Sequence, residues 1–232
     1  MDSQVEEEVL AEEELVADGK KTLIFDLDGT LLDSIEDIAV SMNKVLESLN
    51  LPIHKIEDYK YFVGSGVDVL VENALGNHSQ EIKDEVIKRF KVEYDGKLHL
   101  KTLPYDGIYD LLNELKKLNC NLAVLSNKPH EFTVSYVNHF FKDYDFKEIH
   151  GQKVDIPKKP HPIAAINIAK ALNIPCEDIY FIGDTKVDMQ TAKNAKMKAI
   201  GVLWGFRDEK ELKEFGADFI VKHPLEILNI IE

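Results

Sequence analysis

Two aspartates, Asp26 and Asp28, stand two positions apart in the stretch FDLDGT, directly after the apolar run Leu23–Phe25. The side chains of a strand alternate between its faces, so both carboxylates point to the same side if this run is a buried strand. Two like charges in that position repel each other unless a positive group lies between them. The pair is therefore a candidate for metal-assisted chemistry, and an Asp-Gly surface turn is the ordinary alternative.

Further polar residues follow the apolar runs along the chain. They are Thr30 after the first run, Ser126, Asn127 and Lys128 after LAVL, Asp184, Thr185 and Asp188 after IYFI, and the lysines Lys158 and Lys159 in PKKPHP. In an open parallel sheet, ligands bind beyond the carboxyl ends of the strands. Carboxylates, hydroxyls, a lysine and a metal charge at that edge suit a phosphate group, because phosphoryl transfer chiefly needs positioning and charge neutralisation.

Short apolar runs alternate with helical patterns from Lys21 onward. The runs are TLIF (22–25), LAVL (122–125), IYFI (179–182), KAIGVL (198–203) and DFIV (218–221). Between them, apolar residues recur at spacings of three and four in YDLLNELKKLN, PIAAINIAKALN, KVDMQTAKNAK and KELKEFG. This alternation predicts an α/β fold with a doubly wound, Rossmann-like parallel sheet covered by crossover helices.

One interval, 34–102, breaks the alternation, because it shows helical periodicity and no convincing strand. We predict that it forms a helical cap domain inserted after the first strand. Residues 21–33 and 103–232 then form the α/β core. Pro104 and Gly107 punctuate the chain where it returns to that core.

The charge of the chain is unevenly distributed. Residues 1–20 hold eight acids against one lysine, which is half of the net charge of −14, and we interpret them as an acidic N-terminal extension outside the fold. The negative charge argues against nucleic acid as a partner. No stretch suits a membrane span, and the acidic start differs from a secretory signal. The sequence therefore predicts a soluble, cytoplasmic protein with no membrane partner.

Four motifs resemble those of the haloacid dehalogenase-like hydrolases and occur in the same order. They are DLDGT at 26–30, LSNK at 125–128, KKPHP at 158–162 and GDTKVD at 183–188. The resemblance covers about residues 23–221. Within the family, FDLDGTLLDS, LPYDG, NKPH, KPHP and GVLWGF look like the phosphoglycolate phosphatase-like branch, whose helical cap is inserted after the first motif. The predicted cap lies in that place.

The resemblance implies that three aspartates hold Mg²⁺ and carry the reaction. Asp26 would be the nucleophile that forms an aspartyl-phosphate and would also bind the ion. The carboxyl group of Asp28 would serve as acid and base, while its backbone carbonyl binds Mg²⁺. Asp184 would be the third protein ligand. Asp188 would orient the motif lysine or metal-bound water.

The same resemblance implies which groups bind the phosphate. Thr30 and Ser126 would donate hydrogen bonds to the phosphoryl oxygens, and Lys159 would neutralise the charge on them. Lys158 is the alternative cation. A helix cap or a turn is the alternative role for the two hydroxyls.

Further contacts with the substrate are assigned to Asn127, beside Ser126, and to VGSG in the cap, where Gly64, Ser65 and Gly66 lie. Glycines let backbone N–H groups approach an anion closely. A structural turn is the alternative explanation for VGSG.

Together these features predict a Mg²⁺-dependent phosphatase that acts on a small phosphorylated metabolite, with 2-phosphoglycolate as the leading candidate. The protein is expected to be a monomer or a homodimer. A pyrophosphatase, a sugar-phosphate phosphatase and a β-phosphoglucomutase-like phosphomutase are the enzymatic alternatives. A non-catalytic binding protein that keeps the fold is an alternative of another class.

Overall fold

The computed structural model describes residues 19–95 and 100–231. The predicted acidic extension, apart from its last two residues, lies outside this range. The strands within it are β1 (Thr22–Phe25), β2 (Leu32–Asp33), β3 (Leu103–Pro104), β4 (Asn121–Pro129), β5 (Phe146–Gln152), β6 (Ile179–Gly183), β7 (Lys198–Val202) and β8 (Phe219–Val221). Six of them form a parallel sheet in the order β5-β4-β1-β6-β7-β8, so β1 is central.

The helices fall into two groups. Four lie between β2 and β3, namely α1 (Ile35–Ser48), α2 (Ile56–Phe62), α3 (Val67–Leu75) and α4 (Gln80–Asp95). The others accompany the sheet, namely α5 (Ile108–Lys117), α6 (His130–Phe140), α7 (Ile163–Leu172), α8 (Lys186–Asn194), α9 (Glu209–Glu214) and α10 (Leu228–Ile231). The first group is the cap. No helix among the described residues is long and apolar enough to cross a bilayer.

Helices cover both faces of the sheet. Successive side chains of β1 point to opposite faces, so they pack into different cores. Leu23 and Phe25 pack into the apolar core that includes α5 and α6, whereas Ile24 packs into a second core with α7 and α8. Such burial on both sides explains why the central strands are continuously apolar. The predicted doubly wound α/β sheet is confirmed.

Several strands and helices were not predicted from the sequence. The edge strand β5 has the polar sequence FKEIHGQ, and its residues are only partly buried or exposed. Helix α2 has seven residues, of which only Tyr59 is buried. Helix α6 and the two-residue strands β2 and β3 were missed as well. Each of these elements depends on tertiary contacts more than on an apolar pattern of its own.

The two connections between cap and core run side by side. Strands β2 and β3 pair antiparallel, with Leu32 opposite Pro104 and Asp33 opposite Leu103. This short ribbon lies at the predicted boundaries near residues 33 and 103. The chain thus leaves the core and returns to it at one place.

A buried carboxylate, that of Asp37 in the first turn of α1, holds the returning chain. It accepts hydrogen bonds from the Lys101 and Thr102 N–H groups, at 3.0 and 2.8 Å, and from the Thr102 hydroxyl at 2.7 Å. Its position near the helix N-terminus also favours the negative charge.

We predict that Asp37→Ala lowers the free energy of unfolding on the order of 2 kcal/mol or more, because several donors lose their acceptor. Denaturant titration measures the loss. Glu85→Ala is the control, since Glu85 only pairs with Arg89 on an exposed helix face, and it should cost about 0.5 kcal/mol or less. Equal losses in the two variants would contradict the bracing role of Asp37.

Candidate active site

Asp26 and Asp28 lie at the carboxyl end of the central strand. The backbone N–H of Asp26 donates to the Ile182 carbonyl at 2.9 Å, so the pairing of β1 with β6 continues to this residue. The chain then turns sharply, since the Leu27 carbonyl accepts the N–H groups of the residues at 30, 31 and 32. Gly29 has φ +86°, which glycine adopts without strain. This turn fixes both carboxylates at the edge of the sheet.

Three buried aspartates meet around one lysine at this edge. Carboxylate oxygens of Asp26, Asp184 and Asp188 lie within 4.8 Å of one another. The Lys159 ammonium lies 2.9 Å from Asp26 Oδ1 and 2.6 Å from Asp188 Oδ1. Lys158 points elsewhere, to Asp68 of the cap. The structure thus places Lys159, and not Lys158, against the expected nucleophile.

The charges in this cluster do not balance. Burial raises the pKa of Asp26 to about 7, although Lys159 acts to lower it. Burial, together with the Asp188 and Asp26 charges, raises the pKa of Asp184 well above its usual value. Burial alone lowers the pKa of Lys159, but the Asp188 and Asp26 charges raise it overall. With all groups ionised, three carboxylates and one ammonium leave two negative charges, which a divalent cation would neutralise.

The buried Asp26 Oδ1 atom supports this fit. Among the described residues, no group donates a well-aligned hydrogen bond to it, even though the Lys159 ammonium lies 2.9 Å away. A buried oxygen without such a bond is costly unless another positive group reaches it. Carboxylate oxygens are also the ligands that Mg²⁺ prefers. The residues present therefore suit a divalent cation between Asp26 and Asp184.

The Asp184 carboxylate is held from two sides. The Thr30 hydroxyl donates to Oδ1 at 3.1 Å, and the Phe206 N–H donates to Oδ2 at 2.8 Å. Gly29 and Gly205 pack so closely that a Cβ on either would come within 2.3 Å of an Asp184 atom. These contacts leave the carboxylate little freedom to move.

Thr30 is placed differently from the expectation that it binds the phosphate. Its side chain is fully buried, and its hydroxyl donates to Asp184. Its carbonyl accepts a hydrogen bond from the Trp204 indole N–H at 2.9 Å. The geometry supports a role in positioning Asp184, because the hydroxyl proton is already engaged with that carboxylate.

Asp188 joins the motif lysine to the start of a helix. Its Oδ2 accepts hydrogen bonds from the backbone N–H and the hydroxyl of Thr185, which caps α8. Its Oδ1 accepts from Lys159. The contact with Lys159 is the one expected from the sequence, and the functional role of Asp188 stays a prediction.

The Asp28 carboxylate has separate partners. It accepts a hydrogen bond from the Ser34 hydroxyl at 2.5 Å, and both of its oxygens lie 3.0 to 3.1 Å from the Lys128 ammonium. No separate role was predicted for Lys128 from the sequence, although LSNK places it two residues after Ser126. Its position in that motif was the feature of the sequence that could have indicated a role.

Ser126 and Asn127 follow one another in β4 and differ in their surroundings. Ser126 lines the cavity above Asp26, and its hydroxyl accepts the Lys128 N–H at 3.2 Å. The Asn127 amide donates to the carbonyls of Gly64 and Lys159 and accepts the Lys159 N–H. Asn127 thus joins the cap loop to the motif lysine; it also lines the cavity, and its contact with the substrate stays a prediction.

The cap covers this edge of the sheet, and a cavity lies between the two. Polar core residues, including Asp26, Asp28 and Ser126, form its floor. Apolar side chains form its roof and walls: Ile38, Val63, Val67, Leu70 and Phe90 from the cap, and Phe132 from α6. Gly64 and Gly66 also line it, whereas Ser65 lines a neighbouring surface pocket. Substrate contacts of these three residues stay predictions.

Two cationic side chains tie the cap to the core. Lys158 pairs with Asp68 at the start of α3, at 2.6 Å. Arg207, directly after Phe206, donates to backbone carbonyls at the end of α2, including that of Val63 at 3.4 Å. These contacts hold the cap over the aspartates, which reduces the access of water to them.

The family model of the haloacid dehalogenase-like hydrolases matches residues 23–202. This chain belongs to that family. Among relatives of this hydrolase, the phosphoglycolate phosphatase of Pseudomonas savastanoi pv. phaseolicola is 32% identical over 200 residues, which cover 84% of this chain and 73% of the relative. The phosphoglycolate phosphatase of Colwellia psychrerythraea is 30% identical over 204 residues, with coverages of 85% and 90%.

Solved structures agree with this assignment. A crystal structure from Lactobacillus delbrueckii subsp. bulgaricus has a TM-score of 0.86 and 34% identity, and the match covers 91% of this hydrolase and 98% of that chain. A predicted phosphoglycolate phosphatase from Haemophilus somnus has a TM-score of 0.85 and 27% identity, with coverages of 92% and 98%. The resemblance to the phosphoglycolate phosphatase-like branch is confirmed, and the chain is a phosphoric monoester hydrolase.

We predict that Mg²⁺ raises the melting temperature of the wild-type protein, because binding at 100 times Kd stabilises the folded state by about 2.7 kcal/mol. Asp184→Asn should lose most of this increment. The pKa of Asp26 is raised to about 7, so protons compete with the ion below that pH. The increment should therefore be larger well above pH 7 than well below it.

Thermal scans with Mg²⁺ and with a chelator measure both effects. Asp68→Asn is the control, because it also removes a carboxylate near the cavity but lies outside the cluster, and it should keep the full increment. If Asp184→Asn responds to Mg²⁺ as the wild type does, the ion does not bind at this cluster.

Proposed function

We propose that this hydrolase is a Mg²⁺-dependent phosphatase that acts on a small phosphate monoester through an aspartyl-phosphate on Asp26, with 2-phosphoglycolate as the leading substrate. The observation that carries the proposal is the buried cluster of Asp26, Asp184 and Asp188 around Lys159, beneath a cavity that the cap covers. Such a cluster offers a nucleophile and a cation site, but it is costly unless charged ligands complete it.

The carboxylates of Asp26 and Asp184 and the backbone carbonyl of Asp28 would hold Mg²⁺. When bound, the ion supplies charge neutralisation for the phosphoryl oxygens and for the crowded carboxylates. Lys159 adds a fixed positive charge beside Asp26, and Asp188 holds its ammonium in place. Thr30 and the Phe206 N–H keep the Asp184 carboxylate from turning away.

In the first step, a carboxylate oxygen of Asp26 attacks phosphorus. A bond forms between this oxygen and phosphorus, and the bond from phosphorus to the ester oxygen breaks. The Asp28 carboxyl group gives its proton to the departing oxygen, so the product leaves as an alcohol. Ser126 lines the floor of the cavity, where its hydroxyl can donate to a phosphoryl oxygen.

In the second step, a water molecule attacks the phosphorus of the aspartyl-phosphate. The Asp28 carboxylate takes a proton from this water, the bond between phosphorus and the Asp26 oxygen breaks, and inorganic phosphate is released. Asp28 thus returns to its protonated form, and Asp26 to its free carboxylate. The same residue serves both proton transfers because both occur on the side of phosphorus opposite to Asp26.

The cavity and the relatives support a small substrate. A cavity beneath a cap that contacts the core on several sides suits a metabolite rather than a folded phosphoprotein or a nucleic acid. Two relatives are named phosphoglycolate phosphatase, which makes 2-phosphoglycolate the first compound to test. Pyrophosphate and sugar phosphates are the next candidates. A panel of such compounds, assayed for released phosphate with Mg²⁺, tests the substrate assignment.

A phosphomutase would use the same aspartates but protect the aspartyl-phosphate from water. Incubation with a hexose 1-phosphate separates the two reactions, since a mutase forms an isomer and a phosphatase releases phosphate. A non-catalytic binding protein would show no Mg²⁺-dependent turnover of any ester. Any Mg²⁺-dependent turnover of p-nitrophenyl phosphate would exclude that alternative.

We predict that Asp26→Asn abolishes turnover, because an amide is a poor nucleophile and a weaker ligand for Mg²⁺. The fold should survive, since the two side chains have nearly the same shape. Phosphate release, with circular dichroism as the folding control, measures the effect. More than about a hundredth of wild-type activity, a loss of only ~2.7 kcal/mol, would mean that Asp26 is not the nucleophile.

We predict that Asp28→Asn loses proton transfer, which typically contributes 10²- to 10⁴-fold, while it keeps metal binding through the backbone carbonyl. The value of kcat/KM should fall further for phenyl phosphate than for p-nitrophenyl phosphate, because p-nitrophenolate leaves without a proton. Equal losses for the two esters would argue against Asp28 as the acid.

A further inference from the structure

Lys128 is a buried cation that the proposed mechanism does not use. Its side chain is 5% exposed, although it lines the cavity. Its ammonium lies 3.1 and 3.0 Å from the two oxygens of Asp28 and 2.8 Å from the Tyr94 hydroxyl oxygen. A lysine is rarely buried to this extent unless its charge is compensated. Its main ionic partner is the residue to which the proton transfers are assigned.

Two aromatic rings enclose the same ammonium. It lies 4.6 Å from the ring centre of Tyr94 and 4.8 Å from that of Tyr136, and the two rings are nearly parallel. The Tyr136 hydroxyl donates to the Tyr94 oxygen at 2.8 Å. Tyr94 is in the cap helix α4, and Tyr136 is in the core helix α6. The ammonium therefore sits in a cage that is complete only when the cap is in this position.

The contacts of the cage form a continuous chain. They run from Asp28 through Lys128 and Tyr94 to Tyr136, and each pair of polar atoms lies within 3.1 Å. Buried networks of this kind hold their members in defined positions when every member has a partner.

The neighbouring lysines have other partners. Lys159 lies between Asp26 and Asp188, and Lys158 pairs with the exposed Asp68 of the cap. Lys128 and Lys158 both reach from the core to the cap, but only Lys128 contacts a carboxylate on the cavity floor. This difference provides a matched pair of variants.

We propose that Lys128 is a positioning residue that fixes the direction of the Asp28 carboxyl group toward the reacting ester, and that Tyr94 of the cap completes this arrangement. The inference rests on the proposed role of Asp28 as acid and base. Without its contacts to Ser34 and Lys128, the Asp28 side chain could rotate about its bonds. The cage around Lys128 removes that freedom while the cap is closed, so proton transfer is coupled to cap closure.

The test compares kcat/KM for phenyl phosphate and p-nitrophenyl phosphate in the full chain with Mg²⁺. Lys128→Met keeps the length of the side chain and removes its charge. We expect it to lower kcat/KM for phenyl phosphate about 10- to 100-fold and to lower it several-fold less for p-nitrophenyl phosphate. Tyr94→Phe, which removes only the hydroxyl, should lower kcat/KM by a smaller factor, and again more for phenyl phosphate than for p-nitrophenyl phosphate. Lys158→Met should affect both esters equally.

A double-mutant cycle adds a second readout. If Lys128 acts only through Asp28, Lys128→Met should cost little in the Asp28→Asn background, so the two losses are not additive. Circular dichroism and melting temperatures check that each variant is folded. If Lys128→Met does not fold, Tyr94→Phe decides, because it changes a single hydroxyl group.

The outcomes separate the inference from the function on which it rests. Equal losses for the two esters in Lys128→Met and Tyr94→Phe, beside a clear ester preference in Asp28→Asn, overturn the positioning role alone. A rise in KM that is confined to 2-phosphoglycolate, with both aryl esters unchanged, also overturns it, because Lys128 would then bind the carboxylate of that substrate. If Asp28→Asn itself shows no ester preference, the acid role fails, and the inference fails with it.

Discussion

Repulsion among buried carboxylates is the constraint on which the rest of this structure depends. Asp26, Asp184 and Asp188 share a space of a few ångströms with one ammonium, that of Lys159. In a medium of low polarity, such an arrangement is unstable unless other charges and donors complete it. The parallel sheet brings the carboxylates together, the capped start of α8 holds Asp188, and the loop after β7 holds Asp184. The fold thereby holds together an electrostatically unfavourable group of carboxylates, which a bound cation would stabilise.

The cap contributes to the same balance by excluding water. Its apolar side chains cover the floor of the cavity, and this strengthens every electrostatic interaction beneath them. Several core residues of the site contact the cap as well: Asn127 binds Gly64, Lys128 binds Tyr94, and Lys158 binds Asp68. Ser126 and Lys159, which are proposed to bind the phosphate, are therefore neighbours in sequence of residues that contact the cap. A displacement of the cap would break these side-chain contacts.

The sequence allowed the central part of the fold and the motif residues to be predicted, because local patterns determine both. The buried strands carry continuous apolar runs, and the aspartates directly follow two of them. Edge strand β5 could not be predicted in this way, because its polar residues gain their structure from pairing with β4. The partners of polar side chains could not be predicted either. Thr30 binds Asp184, 154 positions away in the sequence, and Lys128 binds Asp28, 100 positions away. Residue type fixes what a side chain can bind, but only the folded chain selects its partner.

The short ribbon of β2 and β3 has a consequence for how such enzymes diversify. Because Asp33 and Leu103 face each other across this ribbon, the cap enters and leaves the core at a single point. A chain segment inserted between adjacent ends adds little strain to the host domain, whatever its length. The catalytic sheet can therefore keep its geometry while the inserted segment changes in size, shape and polarity. Selection can therefore act almost independently on the two flanking segments, which carry the aspartates, and on the segment inserted between them.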